Sequence, residues 1–181
     1  MGFLKDFFVK RQIRAAGFRE ERHSVPLASV RRCIVLLDVE DAESEACLRF
    51  AKTFFGSRGI ELKPFFLDMG KHAKDEMITT AVKTTILKRN LPVFGTLPEE
   101  MVAELKSEAA DLYICLVDNC LPVTRCFNAI VPAPFCVGLQ DYPGSPFSMV
   151  FKGSEEEQIQ VNFHDSSKRL ESIVAYLEMV V

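Results

Sequence analysis

Apolar residues alternate along this chain between continuous runs and spaced stripes. The runs Arg32-Cys33-Ile34-Val35-Leu36-Leu37-Asp38 and Leu112-Tyr113-Ile114-Cys115-Leu116-Val117-Asp118 are rich in β-branched residues and end in a carboxylate. Each predicts a strand buried on both faces, and the two should lie side by side at the centre of a parallel sheet. Ile60–Asp68 reads as a further strand, with Pro64 placing it away from the sheet centre or at an irregularity. Phe135–Leu139 and Phe147–Phe151 predict two more. Residues 78–86 fit either period, since Ile78, Val82 and Ile86 also share a helical face; the density of β-branched residues favours an edge strand over Val82–Lys88.

Between these runs the spacing becomes helical. Phe3, Leu4, Phe7 and Phe8 predict a helix over 2–16, ended by Gly17, with an irregular link over Phe18–Ser29. Cys47, Phe50, Ala51, Phe54 and Phe55 form a stripe behind Asp41 as N-cap, stopped by Gly56 and Gly59. Thr96 and Glu99 make a capping box ahead of Met101, Val102 and Leu105. Pro122 opens a helix bearing Val123, Cys126, Phe127, Ile130 and Val131. A last one carries Leu170, Ile173, Val174, Leu177 and Val181 after a cap among Asp165, Ser166 and Ser167. Strands alternating with helices predict a three-layer αβα Rossmann-like domain with a mostly parallel sheet and right-handed crossovers. The expected organisation is a basic N-terminal helix and link over residues 1–29 and one α/β domain over 30–181.

Composition narrows the class. The 181 residues are 48% hydrophobic and 26% charged, enough for one domain with a full core. No apolar stretch approaches bilayer-spanning length, and the opening Met1-Gly2-Phe3-Leu4-Lys5-Asp6 breaks too early for a secretory h-region, so a cytoplasmic location is expected. Six cysteines without a C-x-x-C or a zinc-site histidine spacing suit a reduced compartment. Residues 1–32 hold eight Lys/Arg against three acids, leaving fourteen against twenty-two for the rest. A basic arm therefore precedes an acidic body. Its helix could bind a protein partner or an anionic membrane surface through residues 2–16, or it could dock its four apolar residues on the domain and leave its cations solvated.

The order of features resembles a known family. The basic helix and the strand Cys33–Asp38 come first. Asn90-Leu91-Pro92-Val93-Phe94-Gly95 then stands ahead of an acidic helix, followed by Asp111-Leu112-Tyr113-Ile114, Leu121-Pro122 and Ala133-Pro134-Phe135-Cys136-Val137-Gly138. Over nearly its full length the chain is similar to a family of short, uncharacterised Bacteroidetes proteins, a domain of unknown function, which supplies no catalytic residues. Leu112–Val117, the helix from Pro122 and Phe135–Gly138 also resemble the N-terminal half of heptosyltransferases. The second domain of those enzymes, which would hold the sugar nucleotide, has no counterpart in these residues.

In an open parallel sheet, ligands bind beyond the carboxyl ends of the strands where strand order reverses. That crevice should lie above the Cys33 and Leu112 strands, with Asp38, Asp118, Asn119, Thr124 and Arg125 as candidate ligand-binding residues and Glu40 and Asp41 beside them. Carboxylates there could hold magnesium, but their positions are equally those of turn formers and helix caps, so no metal is expected. The turn Asp38-Val39-Glu40-Asp41-Ala42 has no glycine to admit a pyrophosphate, there is no P-loop, and no cofactor is expected. Nucleic acid is not an expected partner. The two acidic segments stand about eighty residues apart, which breaks the strand order of a response-regulator receiver. Cys120 precedes a helix whose dipole could lower its pKa, and the turn-rich Tyr142–Pro146 loop could cover the crevice. The expected function is a non-enzymatic binding or interaction module using its basic N-terminal helix. The alternative is a minimal transferase-like enzyme with a small ligand in the crevice.

Overall fold

Seven residues, Arg32–Asp38, form β1, and the five between its ends are buried. A strand with no wet face needs neighbours on both edges and helices on both faces, and β1 has all four. β2 (Glu61–Asp68) pairs with it on one side and β4 (Leu112–Cys115) on the other, both parallel. Beyond them stand β3 (Thr85–Leu87), β5 (Phe135–Gly138) and β6 (Met149–Val150). The sheet is wholly parallel in the order β3-β2-β1-β4-β5-β6. The computed structural model describes residues 2–16, 23–71, 83–152 and 165–179. Residues 78–82, the acidic run Glu155–Glu157 and Val181 lie outside the described residues, as do the expected helix stop Gly17 and Phe18–Arg22 of the expected link.

Helices cover both faces. Among the described residues, α1 (Gly2–Ala16), α3 (Glu99–Ser107) and α4 (Pro122–Ile130) lie on one side, and α2 (Ser44–Gly56) and α5 (Ser166–Met179) on the other. The period-2 alternation of β1 divides its side chains between the layers: Ile34 and Leu36 pack with α3 and α4, Cys33, Val35 and Leu37 with α2 and α5. This is the three-layer Rossmann-like α/β fold, with strand order reversing between β1 and β4.

Pro64 sits inside β2 for a visible reason. The amide of Phe66 bonds the carbonyl of Thr84 on the β3 side. In a parallel strand the position two residues earlier faces the same way. β3 begins only opposite Phe66, so the missing N–H of Pro64 costs no ladder bond with a described strand.

Two caps differ from expectation. α3 starts at Glu99 behind Pro98, with no side-chain cap, and Thr96 is buried ahead of it. Leu97 cannot enter the first turn because its N–H and C=O are both held by the side chain of Gln12. Likewise α2 begins at Ser44 without a cap from Asp41. Asp41 accepts the Glu43 N–H at 3.0 Å within its own turn and the Ser166 N–H, at the first residue of α5, at 3.1 Å. Asp165 is a cap as expected, accepting the Lys168 N–H.

The face of α1 that docks is not the expected one. Phe3, Leu4 and Phe7 are exposed, while Val9 is buried and Ile13 and Ala16 pack on the core. Only Phe8 of the four apolar residues turns inward, its ring stacked on Phe94 at 3.7 Å. Asp6 pairs with Arg125 of α4. This places Asp6 by the start of α4, at the carboxyl edge of the sheet, while the His23 N–H beyond the far end of α1 meets the Pro134 carbonyl just ahead of β5.

Candidate functional site

The crevice sits where strand order reverses, above the carboxyl ends of β1 and β4. It is a shallow depression of about 240 Å³ lined by Asp38, Glu40, Asp41, Leu116, Asp118 and Arg169. Three of the four carboxylates, those of Asp38, Asp41 and Asp118, have work within the fold. Asp38 accepts the Glu40 N–H at 3.0 Å, closing the turn after β1. Asp41 ties that turn to α5. Asp118 accepts from Gln140 on one oxygen and from the Arg169 guanidinium on the other at 3.1 Å.

The electrostatics are one-sided. Burial raises the pKa of Asp38, the neighbouring charges of Glu40, Asp41 and Asp68 raise it further, and the Glu40 N–H partly offsets them. Four carboxylates face one guanidinium, so the depression repels a phosphate or sulfate. Among the described residues no group of three or more His, Cys, Asp or Glu side chains is placed to hold a metal ion.

The five nominated residues separate. Asp38 and Asp118 line the crevice. Asn119 instead organises the entry to α4, its oxygen accepting the Leu121 N–H at 3.2 Å and the Thr124 hydroxyl at 2.7 Å, and Thr124 is buried. Arg125 faces the other layer, pairing with Asp6 and lying 5.9 Å from the centre of the Tyr142 ring. Helical geometry explains the split: the side chains of α4 diverge around its axis, and only its approach reaches the crevice.

Sequence reasoning missed Arg169 and Gln140. Arg169 had a signal, since it occupies the position four before Ile173 on the stripe that buries α5, where a cation needs a carboxylate. Gln140, in the connection after β5, had none. It also accepts from the Cys120 thiol at 2.9 Å, so one side-chain amide joins Asp118 to Cys120. Burial raises the pKa of Cys120, with Asp118 adding to the rise and Arg125 opposing it, contrary to the helix-dipole expectation.

The Tyr142–Pro146 loop turns away from the crevice. The Tyr142 hydroxyl accepts from the Asn128 amide at 3.3 Å, and Asn128 in turn accepts the buried Tyr113 hydroxyl at 2.6 Å. This chain pins the loop to the α4 layer.

A second surface lies on the outer side of α1. Its first two turns expose Phe3, Leu4 and Phe7, and the next two expose Lys10, Arg11 and Arg14, which make no ion pair with a described residue. Among the described residues no helix is long and apolar enough to cross a membrane.

These features define an open, doubly wound α/β domain whose crevice is closed by its own polar contacts and whose first helix presents apolar and cationic side chains outward. Comparison with protein-family models, with curated proteins and with solved structures finds no match.

Proposed function

We propose that this protein is a non-enzymatic binding module that attaches to an anionic membrane surface through the outer face of α1. The observation that carries this is the order of side chains along that face. Phe3 is 85% exposed, Leu4 55% and Phe7 53%, in a helix whose inner face is already satisfied by Val9, Gln12 and Ile13. With a rise of about 1.5 Å per residue, Arg11 stands about 6 Å and Arg14 about 10 Å behind Phe7 along the axis. That matches the sequence of layers at a membrane, where acyl chains give way to charged headgroups within a comparable depth.

The magnitudes suit reversible attachment. Each cation near an anionic leaflet contributes about 1 kcal/mol. Each large apolar side chain moved from water contributes about 1.5–3 kcal/mol when fully buried, and correspondingly less for Leu4 and Phe7, which are already half covered. The acidic body argues against lying flat on such a surface, so contact is confined to the α1 side. The crevice offers less to a ligand, because the carboxylates of Asp38, Asp41 and Asp118 are engaged with Arg169, Gln140, the first residue of α5 and their own turns.

Co-sedimentation with vesicles tests this. Binding is expected to vesicles of phosphatidylcholine with one-third phosphatidylserine, to weaken with added salt, and to be much lower on phosphatidylcholine alone. The double variant Phe3→Ser/Phe7→Ser should lose binding with little change in melting temperature, since Phe3 is 85% and Phe7 53% exposed. No binding by the wild-type chain, as an acidic protein partner would give, overturns the reading.

A further inference from the structure

The most exposed large apolar side chain among the described residues is not on α1. Val93 is 93% exposed, at the second position of the turn Pro92-Val93-Phe94-Gly95. The turn is closed by the Gly95 N–H on the Pro92 carbonyl at 2.7 Å, and Gly95 has φ +72, a conformation that other residues enter at a cost. Phe94, the next residue, lies face to face on Phe8 with the rings 9° from parallel, and Phe8 in turn meets the Phe7 ring edge-on at 5.5 Å. The turn is thus fixed to the apolar end of α1 by stacked rings, with Val93 directed outward instead of into the core.

Position in the fold agrees. The turn follows the carboxyl end of β3, and the Asp6 end of α1 lies by the start of α4, so both belong to the carboxyl edge of the sheet. Seven large apolar side chains are exposed among the described residues. Five of them, Phe3, Leu4, Phe7, Val93 and Leu121, lie on this edge on the α1 side; the other two are on α5. A random scatter of surface apolar residues would not gather at one end of one layer. Lys88, exposed, stands just before the turn and supplies charge of the same sign as Lys10, Arg11 and Arg14. The acidic crevice shares the carboxyl edge but opens towards α5, on the opposite layer, so an approach tilted to the α1 side keeps its carboxylates away from an anionic surface.

We infer that the Pro92–Gly95 turn is a second membrane-inserting element, with Val93 entering the acyl boundary beside Phe7 and with Lys88 at the headgroups. This rests on the proposed attachment of α1 and goes beyond it, because two elements fixed to one another hold the domain in one orientation where a single helix would allow it to swivel. The occupant is the surface of an anionic bilayer.

The test uses the full chain and the same phosphatidylserine vesicles. Val93→Asp should lower the vesicle partition coefficient five-fold or more with an unchanged melting temperature, since the side chain touches little. A second measurement is independent of that variant. Cys120 is the one exposed cysteine of the six, so a Cys120→Ser chain carrying Val93→Cys can be labelled at position 93 with an environment-sensitive fluorophore. Its emission should shift to the blue on vesicles and be quenched by lipids brominated in the acyl chain. If Phe3→Ser/Phe7→Ser abolishes binding while Val93→Asp binds as wild type and the probe stays in water, the second element is refuted and the α1 reading stands. If the wild-type chain ignores the vesicles, both fall together.

Discussion

The side-chain amide of Gln12 holds the backbone of Leu97 from both ends, donating to its carbonyl at 2.7 Å and accepting its N–H at 3.0 Å. This reciprocal pair crosses from α1 to the segment leading into α3, and it decides where α3 can start. Replacing Gln12 with Ala leaves a donor and an acceptor of Leu97 without these partners in a largely buried place. The expected cost is about 1–3 kcal/mol. Urea unfolding should show a lower midpoint with an unchanged slope, because the substitution hardly alters how much surface unfolding exposes. The same geometry predicts that deleting residues 1–22 destabilises the domain, since Val9, Ile13 and the Phe8–Phe94 stack are lost with it. Point variants on the outer face of α1 are therefore the sounder probes of attachment.

Gly138 ends β5 beneath the ring of Phe147, and a Cβ built there would stand 2.3 Å from the nearest ring atom. The ring itself lies 6.5 Å from Tyr113 and 6.2 Å from Tyr142, so it has little freedom to retreat. Gly138→Ala should destabilise by about 1–3 kcal/mol through overpacking. Phe147→Leu in the same chain should recover part of that loss. A double-mutant cycle measured by thermal unfolding checks the coupling.

The central strands were legible because a run buried on both faces has no polar positions to confuse its period, and β1 and β4 pair as Cys33-to-Asp38 and Leu112-to-Val117 imply. The edge strand over Val82–Lys88 is present as Thr85–Leu87, resting on one neighbour. What escaped reading was decided across the chain. Thr96 is a good local cap, but Gln12, 85 residues away, claims the backbone beside it. Asp41 is a good local cap, but Ser166 takes one of its oxygens. The four apolar residues of α1 form a convincing stripe, yet the true contact face runs through Val9 and Ile13, which the pattern of large side chains hides. In the crevice the strand ends were legible, whereas Asn119 and Thr124 proved to serve the turn into α4, and the partners of Asp118 come from distant elements.

Asp118 holds the guanidinium of Arg169, which is 7% exposed. Substituting Ala at Asp118 removes that carboxylate from a cation held in a nearly closed position. The cost should be about 1.5–3 kcal/mol, the range for a hydrogen bond to a charged group, because Asp118 itself is partly solvated. Replacing both residues, Asp118→Ala with Arg169→Met, should cost less than the sum of the single changes. Thermal unfolding of the four chains measures this.

Asp38 gives the fold a pH dependence whose sign follows from its surroundings. Its carboxyl has a raised pKa, by burial first and then by the charges of Glu40, Asp41 and Asp68. A group with a raised folded-state value binds its proton more tightly in the fold than in the unfolded chain. Stability from this group is therefore greatest at acid pH and falls as pH rises from the ordinary carboxylate value through the raised one. At neutral pH the ionised Asp38 is a liability. Asp38→Asn keeps the acceptor for the Glu40 N–H and removes the charge, so it should stabilise the protein at pH 7 and leave it unaltered or weaker at pH 4. Urea midpoints measured at the two pH values decide the matter, and a variant less stable at both would show that the carboxylate has a partner worth more than its desolvation.

The six thiols should divide five to one. Cys33, Cys47, Cys115, Cys126 and Cys136 are buried, and burial pushes Cys47 up to about 12 and Cys115 and Cys126 up to about 11, leaving almost no thiolate at neutral pH. Cys120 is exposed, but its own pKa is raised and its thiol donates to Gln140. An aromatic disulfide reagent at neutral pH should therefore modify one cysteine in the native protein, more slowly than a free thiol, and the other five only on unfolding. Gln140→Ala should speed the native reaction by freeing the Cys120 thiol while also loosening Asp118. If a second thiol reacts with the native chain at the rate of Cys120, the burial of that cysteine in its strand or helix is wrong.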